Sequence, residues 1–244
     1  MMRAARSLVL FALLPVFAGC QMFNSKPADS NAGLTRLQGE LVSANGQLVF
    51  QPCVGQQRYV VRDSASTTLV QDAADMPDKP GKLFADIRGS FTSAKVPGTD
   101  GEVQLQQLYR LERSSSACQD PNFKQMTVHA NGNGPAWEVQ AGAKGMMLKR
   151  DGQPDLALPF VEEQVGNGRF SLSTEANNQH IELWVAPQRC TDSANGSIQH
   201  LGAELRVNGQ VQRGCGYFGG ARNDSTTNVA DGLTSRQLII AGSR

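Results

Sequence analysis

Aromatic residues are scarce in this 244-residue chain, at 6%, and histidine occurs only three times. Neither sign of charge dominates: 23 Lys and Arg face 22 Asp and Glu, a formal net charge of +1. That balance removes the electrostatic case for nucleic acid, which needs a basic stripe along one face. No apolar run reaches the ~20 residues of a bilayer-spanning helix, and no window sustains a helical period. Of the five cysteines no two stand at Cys-x-x-Cys spacing, and no histidine lies at ligand-like spacing beside one, so a structural zinc site is disfavoured. The G-x-S-x-G turn of α/β-hydrolases is missing as well. With 40% apolar and 18% charged residues, the chain is neither collagen-like, nor fully disordered, nor a multi-span membrane protein.

The first residues carry an address. Arg3 and Arg6 form a positive segment, and Leu8 to Phe17 an apolar one interrupted by Pro15. Small Ala18 and Gly19 follow, so residues 1–19 read as a signal peptide. Phe17-Ala18-Gly19-Cys20 resembles the lipobox of bacterial lipoproteins, in which the cysteine thiol takes a diacylglycerol before cleavage. The resemblance implies lipidation at Cys20. By the sorting pattern of enteric-type lipoproteins, Gln21 in place of Asp favours the outer membrane. Without residues 1–19 the chain has 21 basic and 22 acidic residues, so lipid rather than charge must supply the anchoring. Residues 20–34 then form a polar tether, whose last fourteen residues extend at most ~45–50 Å.

With Cys20 acylated, Cys53, Cys118, Cys190 and Cys215 remain, an even number suited to an oxidising compartment. Three pairings are possible. Chain order favours Cys53–Cys118 and Cys190–Cys215, because each bridge then closes within one of two segments.

Those segments are both β-rich. Over 35–118, strands are expected at Leu37–Val42, Gln47–Phe50, Arg58–Val61, Leu83–Phe91 and Val103–Leu111, with Asn45-Gly46 as a hairpin turn. About five short strands in ~80 residues suit a small OB-like barrel, which would leave few open edges. Over 122–220, up to eight further strands are separated by turn sequences that include Asn131-Gly132-Asn133-Gly134-Pro135, Gly166-Asn167-Gly168 and Asn208-Gly209. The fold class expected is all-β, two small antiparallel barrel or sandwich modules. Residues 221–244 read as a polar tail in which Leu238-Ile239-Ile240 can add a short strand.

In the second segment, Phe123, Gly132, Pro135-Ala136-Trp137-x-Val139, Ile181-x-Leu183-x-Val185, Cys190-x-Asp192, Asn208-Gly209 and Gly214-Cys215-Gly216 form a pattern. It resembles a family of uncharacterised proteobacterial lipoproteins. The resemblance implies a periplasmic β-domain with a cysteine bridge, and no activity. Residues 35–115 are loosely similar to the small barrels of other envelope lipoproteins, including copper-homeostasis and surface-sensing ones, whose Cys-x-x-Cys is missing here.

The remaining motifs favour bland readings. Gly214-Cys215-Gly216-Tyr217-Phe218-Gly219 spells G-x-G-x-x-G, but a loop rather than a helix follows it, so it reads as a strand end with a bulge beside a disulfide. His180-Ile181-Glu182 resembles half of a zinc-deaminase signature whose second cysteine is lacking, and reads as a polar strand face. Glu162 and Glu163 would face opposite sides of a strand and make no acid/base pair. Trp137 and Trp184 are expected in the core or at its rim, with carbohydrate stacking as the alternative. The function expected is therefore a non-enzymatic outer-membrane lipoprotein facing the periplasm, without cofactor or metal. It would bind, sense or help assemble an envelope protein or glycan. The alternatives are a hydrolase inhibitor, or an enzyme acting on peptidoglycan or another envelope polymer.

Overall fold

The computed structural model describes residues 33–93 and 96–222, together with the backbone of 237–238. The leader, Cys20 and the tether as far as residue 32 lie outside the described residues, as does the tail from 223 apart from that pair. Within them the protein is all-β with one short α-helix.

The first five strands are β1 (Thr35–Ala44), β2 (Gln47–Pro52), β3 (Tyr59–Arg62), β4 (Lys82–Thr92) and β5 (Gly101–Ser114). β1 pairs with β2 and β4, β2 with β3, and β4 with β5, all antiparallel. A parallel pairing of β3 with β5 closes the circuit. Closed this way, with a helix between its third and fourth strands, the module is OB-like. Two register shifts bend the long β4 against β5, as β-bulges do. Phe50, Ile87, Val103, Leu105 and Leu111 fill the interior.

The helix, α1 (Leu69–Asp75), is the one element of this region that the hydrophobic pattern did not announce. Seven residues are too few for a 3.6-residue period to show. Its start is set from outside instead: the Asp63 carboxylate accepts the N–H groups of Leu69 and Val70 at 2.8 and 2.9 Å. Leu69, fully buried, is its contribution to the barrel core.

Two 3-10 turns, Ala117–Gln119 and Phe123–Gln125, lead into β6 (Met126–Asn133), β7 (Ala136–Gly142), β8 (Gly145–Arg150) and β9 (Leu156–Leu158). Next come β10 (Val161–Gly166), β11 (Arg169–Ala176), β12 (Gln179–Thr191), β13 (Ile198–Val207) and β14 (Gln210–Phe218). Neighbours in sequence pair antiparallel except β9 and β10, and β14 returns to β6. β9 pairs with β8 and β10 with β11, so the chain itself crosses the remaining gap at Pro159-Phe160. Side chains from every side, among them Phe160, Phe170, Leu148 and Leu205, meet in one core. The two-residue turns Asn45-Gly46, Asn167-Gly168, Asn177-Asn178 and Asn208-Gly209 all have positive φ at both positions. That is the type I′ geometry, whose twist matches the strands it joins.

Two local expectations need correction, and one strand was not among those expected. Asn131, Gly132 and Asn133 belong to β6 rather than to a turn, which is confined to Gly134-Pro135. Residues 161–166 form a strand although Glu162, Glu163 and Gln164 give it almost no apolar character. Pairing with β11 makes it one, and a backbone pair at Gln237–Leu238, here β15, adds to its other edge. Finally, β14 runs through Gly214-Cys215-Gly216 in unbroken register with β13, without the bulge expected there.

The two cores are separate, but the sheet is continuous. β13 begins alongside β5, with Ile198 opposite Leu111 and Gln199 opposite Arg110. The contact is charged as well as apolar. Asp86, fully buried, accepts from Arg36 Nε and Nη2 at 2.9 and 2.8 Å and from Gln38 Nε2 at 3.2 Å. Arg36 also donates to the carbonyls of Phe218 and Gly219 and lies 3.7 Å above the Tyr109 ring. Arg110 donates to the Tyr217 hydroxyl at 2.8 Å. Burial pushes that phenol well above its ordinary value and keeps it neutral.

Candidate functional site

Alternation along the strands of the second barrel builds a trough on its outer face. Leu183, Val185, Leu201 and Ala203 point into the core, so Trp184, Ala186, Gly202 and Glu204 stand on the opposite side. Cross-strand register then places Ala186 beside Gly202, Gly202 beside Cys215 and Cys215 beside Asn131. The adjacent row reads Ser171, Trp184, Glu204 and Arg213. A row of small residues next to a row of large ones leaves a floor and a wall.

The opposite wall is a break in β12. Its register with β13 shifts between Pro187 and Cys190, which throws Gln188 and Arg189 out of the ladder. Cys190 then rejoins and is bonded to Cys215, with 5.4 Å between the Cα atoms. Together these walls enclose a groove of about 630 Å³. Gly214 permits the close approach of β14 to β6, since a Cβ there would overlap the Asn131 carbonyl. Gly202 is different: a Cβ would meet only the flexible Gln188 side chain, at 3.5 Å.

Past the break, β12 ends in a short tongue that turns into β13. Asp192, almost wholly buried, organises it. Its carboxylate accepts from Asn131 Nδ2 at 2.8 Å, Asn133 Nδ2 at 2.7 Å and the Ala194 N–H at 2.8 Å. The first barrel holds the tongue from outside. Arg189 makes a two-point ion pair with Asp72 of α1 at 2.9 and 2.8 Å, and Lys79 donates to the Ala194 carbonyl at 2.7 Å.

Cations outnumber anions along the groove. Arg206 stacks over the Trp184 indole at 4.9 Å and donates to Glu204 at 3.0 Å. Arg213 reaches the same carboxylate at 3.3 Å. The Arg206 bond, followed by that of Arg213, holds the Glu204 carboxyl below its ordinary value and keeps it ionised. Arg169 closes the far end. Among the described residues it has no carboxylate partner, and its Nε reaches only the Gly166 carbonyl at 3.4 Å. Two further donors on the Trp184 wall, Trp184 Nε1 and Arg206 Nε, are shut off from solvent and have no acceptor among the described residues.

The cysteines singled out in the sequence fall in two places. Cys190 and Cys215 lie in the groove; Cys53 and Cys118, with Cα atoms 5.3 Å apart, tie the end of β2 to the turn after β5. None of the three histidines lines the groove. His129 bonds Glu138 at 3.1 Å and stacks on Tyr217; His180 bonds Glu175 across the β11–β12 hairpin; His200 meets the Tyr109 carbonyl at 3.0 Å. Among the described residues no three His, Cys, Asp or Glu side chains are grouped to hold a metal ion. The two tryptophans part company: Trp137 is a core residue at 3% exposure, whereas Trp184 flanks the groove. Arg206, Arg213 and Glu204 drew no attention in the sequence, and Asn131 appeared there only as a turn residue. Cys190-x-Asp192 and Gly214-Cys215-Gly216 were the signals nearest to them. Comparison of the chain with protein-family models, with curated proteins and with solved structures gave no match.

Proposed function

We propose that the protein is a bacterial outer-membrane lipoprotein, held by lipid on Cys20 and facing the periplasm, which binds an envelope component in the groove beside Cys190–Cys215. The groove carries the reading. A break in one strand, a disulfide across the floor and a buried carboxylate with three donors keep its shape without any contribution from a ligand, as is common for binding sites. The two bridges engage all four cysteines other than Cys20, which leaves Cys20 as the one thiol for acylation. Binding rather than hydrolysis is favoured by the state of the carboxylates. A glycosidase-type site needs one acid kept protonated by its surroundings, and here Glu204 is pushed the other way while Asp192 is spent on donors.

Gly202→Tyr tests the groove. The backbone there is not in the left-handed region and a Cβ fits, so the side chain should fill the trough while the fold melts as before. Immobilised full-length protein should retain polymer from envelope fragments, and the Gly202→Tyr protein should not; equal retention overturns the groove as the seat. Lipidation has its own readout. Labelled palmitate should enter the wild type and be lost in Cys20→Ala, and continued labelling overturns that part.

A further inference from the structure

We infer that the groove takes a short saccharide chain bearing carboxylates, an inference that rests on the groove being the ligand seat. Among its charged side chains four arginines, Arg169, Arg189, Arg206 and Arg213, stand against two acids, Asp192 and Glu204. Arg169 has no carboxylate partner among the described residues. Arg206 and Arg213 share the single carboxylate of Glu204, each through one nitrogen, and the Arg213 side chain is 82% exposed. Both acids are occupied, Glu204 by those arginines and Asp192 by two asparagines and a backbone N–H. A molecule that answers Arg169 and Arg213 therefore brings acceptors and negative charge. Glu204 already shows which anion the arginines accept, since a planar guanidinium fork matches a carboxylate.

A saccharide fits this surface better than an acidic peptide. A chain running from Arg169 on β11 to Arg213 on β14 crosses the strands instead of lying along one, so an extended peptide in that place could not join a ladder. A peptide laid across the floor would leave its own N–H and C=O groups without partners. A pyranose has no such backbone. Its hydroxyls suit the side-chain amides of Gln188 and Asn133, which line the trough, and its flat C–H face suits the indole of Trp184. From Arg169 on β11 to Arg213 on β14 there are three strand spacings, about 14 Å, which favours a chain over a single ring.

The test uses the full-length protein with trigalacturonate, its methyl ester and triglutamate as probes, followed by calorimetry and tryptophan fluorescence. Trigalacturonate should bind saturably and change the fluorescence, and Trp184→Ala should abolish that change. The ester should bind about tenfold more weakly or worse, as should trigalacturonate to Arg169→Gln or Arg213→Gln, because each loses a charge-assisted hydrogen bond. No saturable binding of trigalacturonate, or equal binding of the ester, overturns the inference. Tighter binding of triglutamate that disappears in Gly202→Tyr also overturns the ligand class, yet leaves the groove standing as a seat. Trigalacturonate binding undiminished in Gly202→Tyr removes the groove itself, and with it the functional reading above.

Discussion

In the first barrel the last gap is spanned by hydrogen bonds, Tyr59–Arg62 running parallel to residues 101–104, whereas in the second the chain itself crosses at Pro159-Phe160. The disulfides differ in the same spirit. Cys53–Cys118 lashes the end of β2 to the turn that follows β5, at the margin of its barrel. Cys190–Cys215 sits in the middle of a sheet face, next to the break in β12. The first barrel also spends charged side chains on its junction with the second, through Asp86, Arg36 and Arg110, and lends Asp72 and Lys79 to the tongue. A barrel closed by backbone bonds has this outer surface to spare for support. The second, with a broad face of paired strands, presents the site. Under the proposed function, the difference separates holding from binding within one continuous sheet.

The largest expected effect tests the holding role. Asp86→Ala removes the carboxylate that Arg36 and Gln38 share in a buried place, and breaking such a pair costs ~3–5 kcal/mol. Urea unfolding of the full-length protein measures it, and a loss under ~1 kcal/mol would show that the junction does not depend on this pair. The second effect sets the bridges against each other. Loop-closure arithmetic assigns about 4 kcal/mol to the 65-residue separation of Cys53–Cys118 and about 3.5 to the 25-residue separation of Cys190–Cys215. Serine replacement of either pair should therefore lower stability by similar amounts, while only the second should disturb the groove and ligand retention. If the Cys53–Cys118 variant loses retention to the same degree at a temperature where it is folded, the division between the barrels fails.

The smallest effect is one of pH. The hydrogen bond from His129, helped by Gln140 and Lys149, lowers the Glu138 carboxyl on the second barrel to about 2 from an ordinary 4.5. A carboxyl depressed in the folded state stabilises the fold fully above its unfolded value, and that contribution fades as the pH falls from 4.5 towards 2. Glu138→Gln should thus melt below wild type at neutral pH, with the gap narrowing through that acid window. A gap that is constant or widens towards low pH would contradict the assignment. Glu138 is partly exposed, so screening keeps the effect small.

Much of the strand layout was legible because period-two alternation and Asn-Gly turns are local signals. Leu37–Val42, Leu83–Phe91 and Val103–Leu111 each fall inside observed strands, and Asn45-Gly46 and Asn208-Gly209 are the turns they resemble. The cysteine pairing favoured by chain order is the observed one. Three features gave no such signal. The helix at Leu69–Asp75 takes its cap from Asp63, six residues before it. β10 is a strand because β11 pairs with it, not because of its own residues. β13 starts at Ile198, where it pairs with β5, a long-range partner that the local sequence does not announce.

The groove marks the boundary between the two kinds of information. By itself the sequence determined the all-β class and most strand limits. It also determined that Leu183 and Val185 share a face opposite Trp184 and Ala186, since neighbouring side chains in a strand must point apart. Which residues of other strands stand beside them was decided only in the folded sheet. Ala186, Gly202, Cys215 and Asn131 are separated by up to 84 positions in the chain and form one floor because register, a long-range property, aligns them. The wall of Gln188 and Arg189 exists because β12 breaks where β13 turns towards the first barrel. A short-range pattern fixes which way a side chain points; its neighbours across a sheet depend on pairing energies summed over strands far apart in sequence.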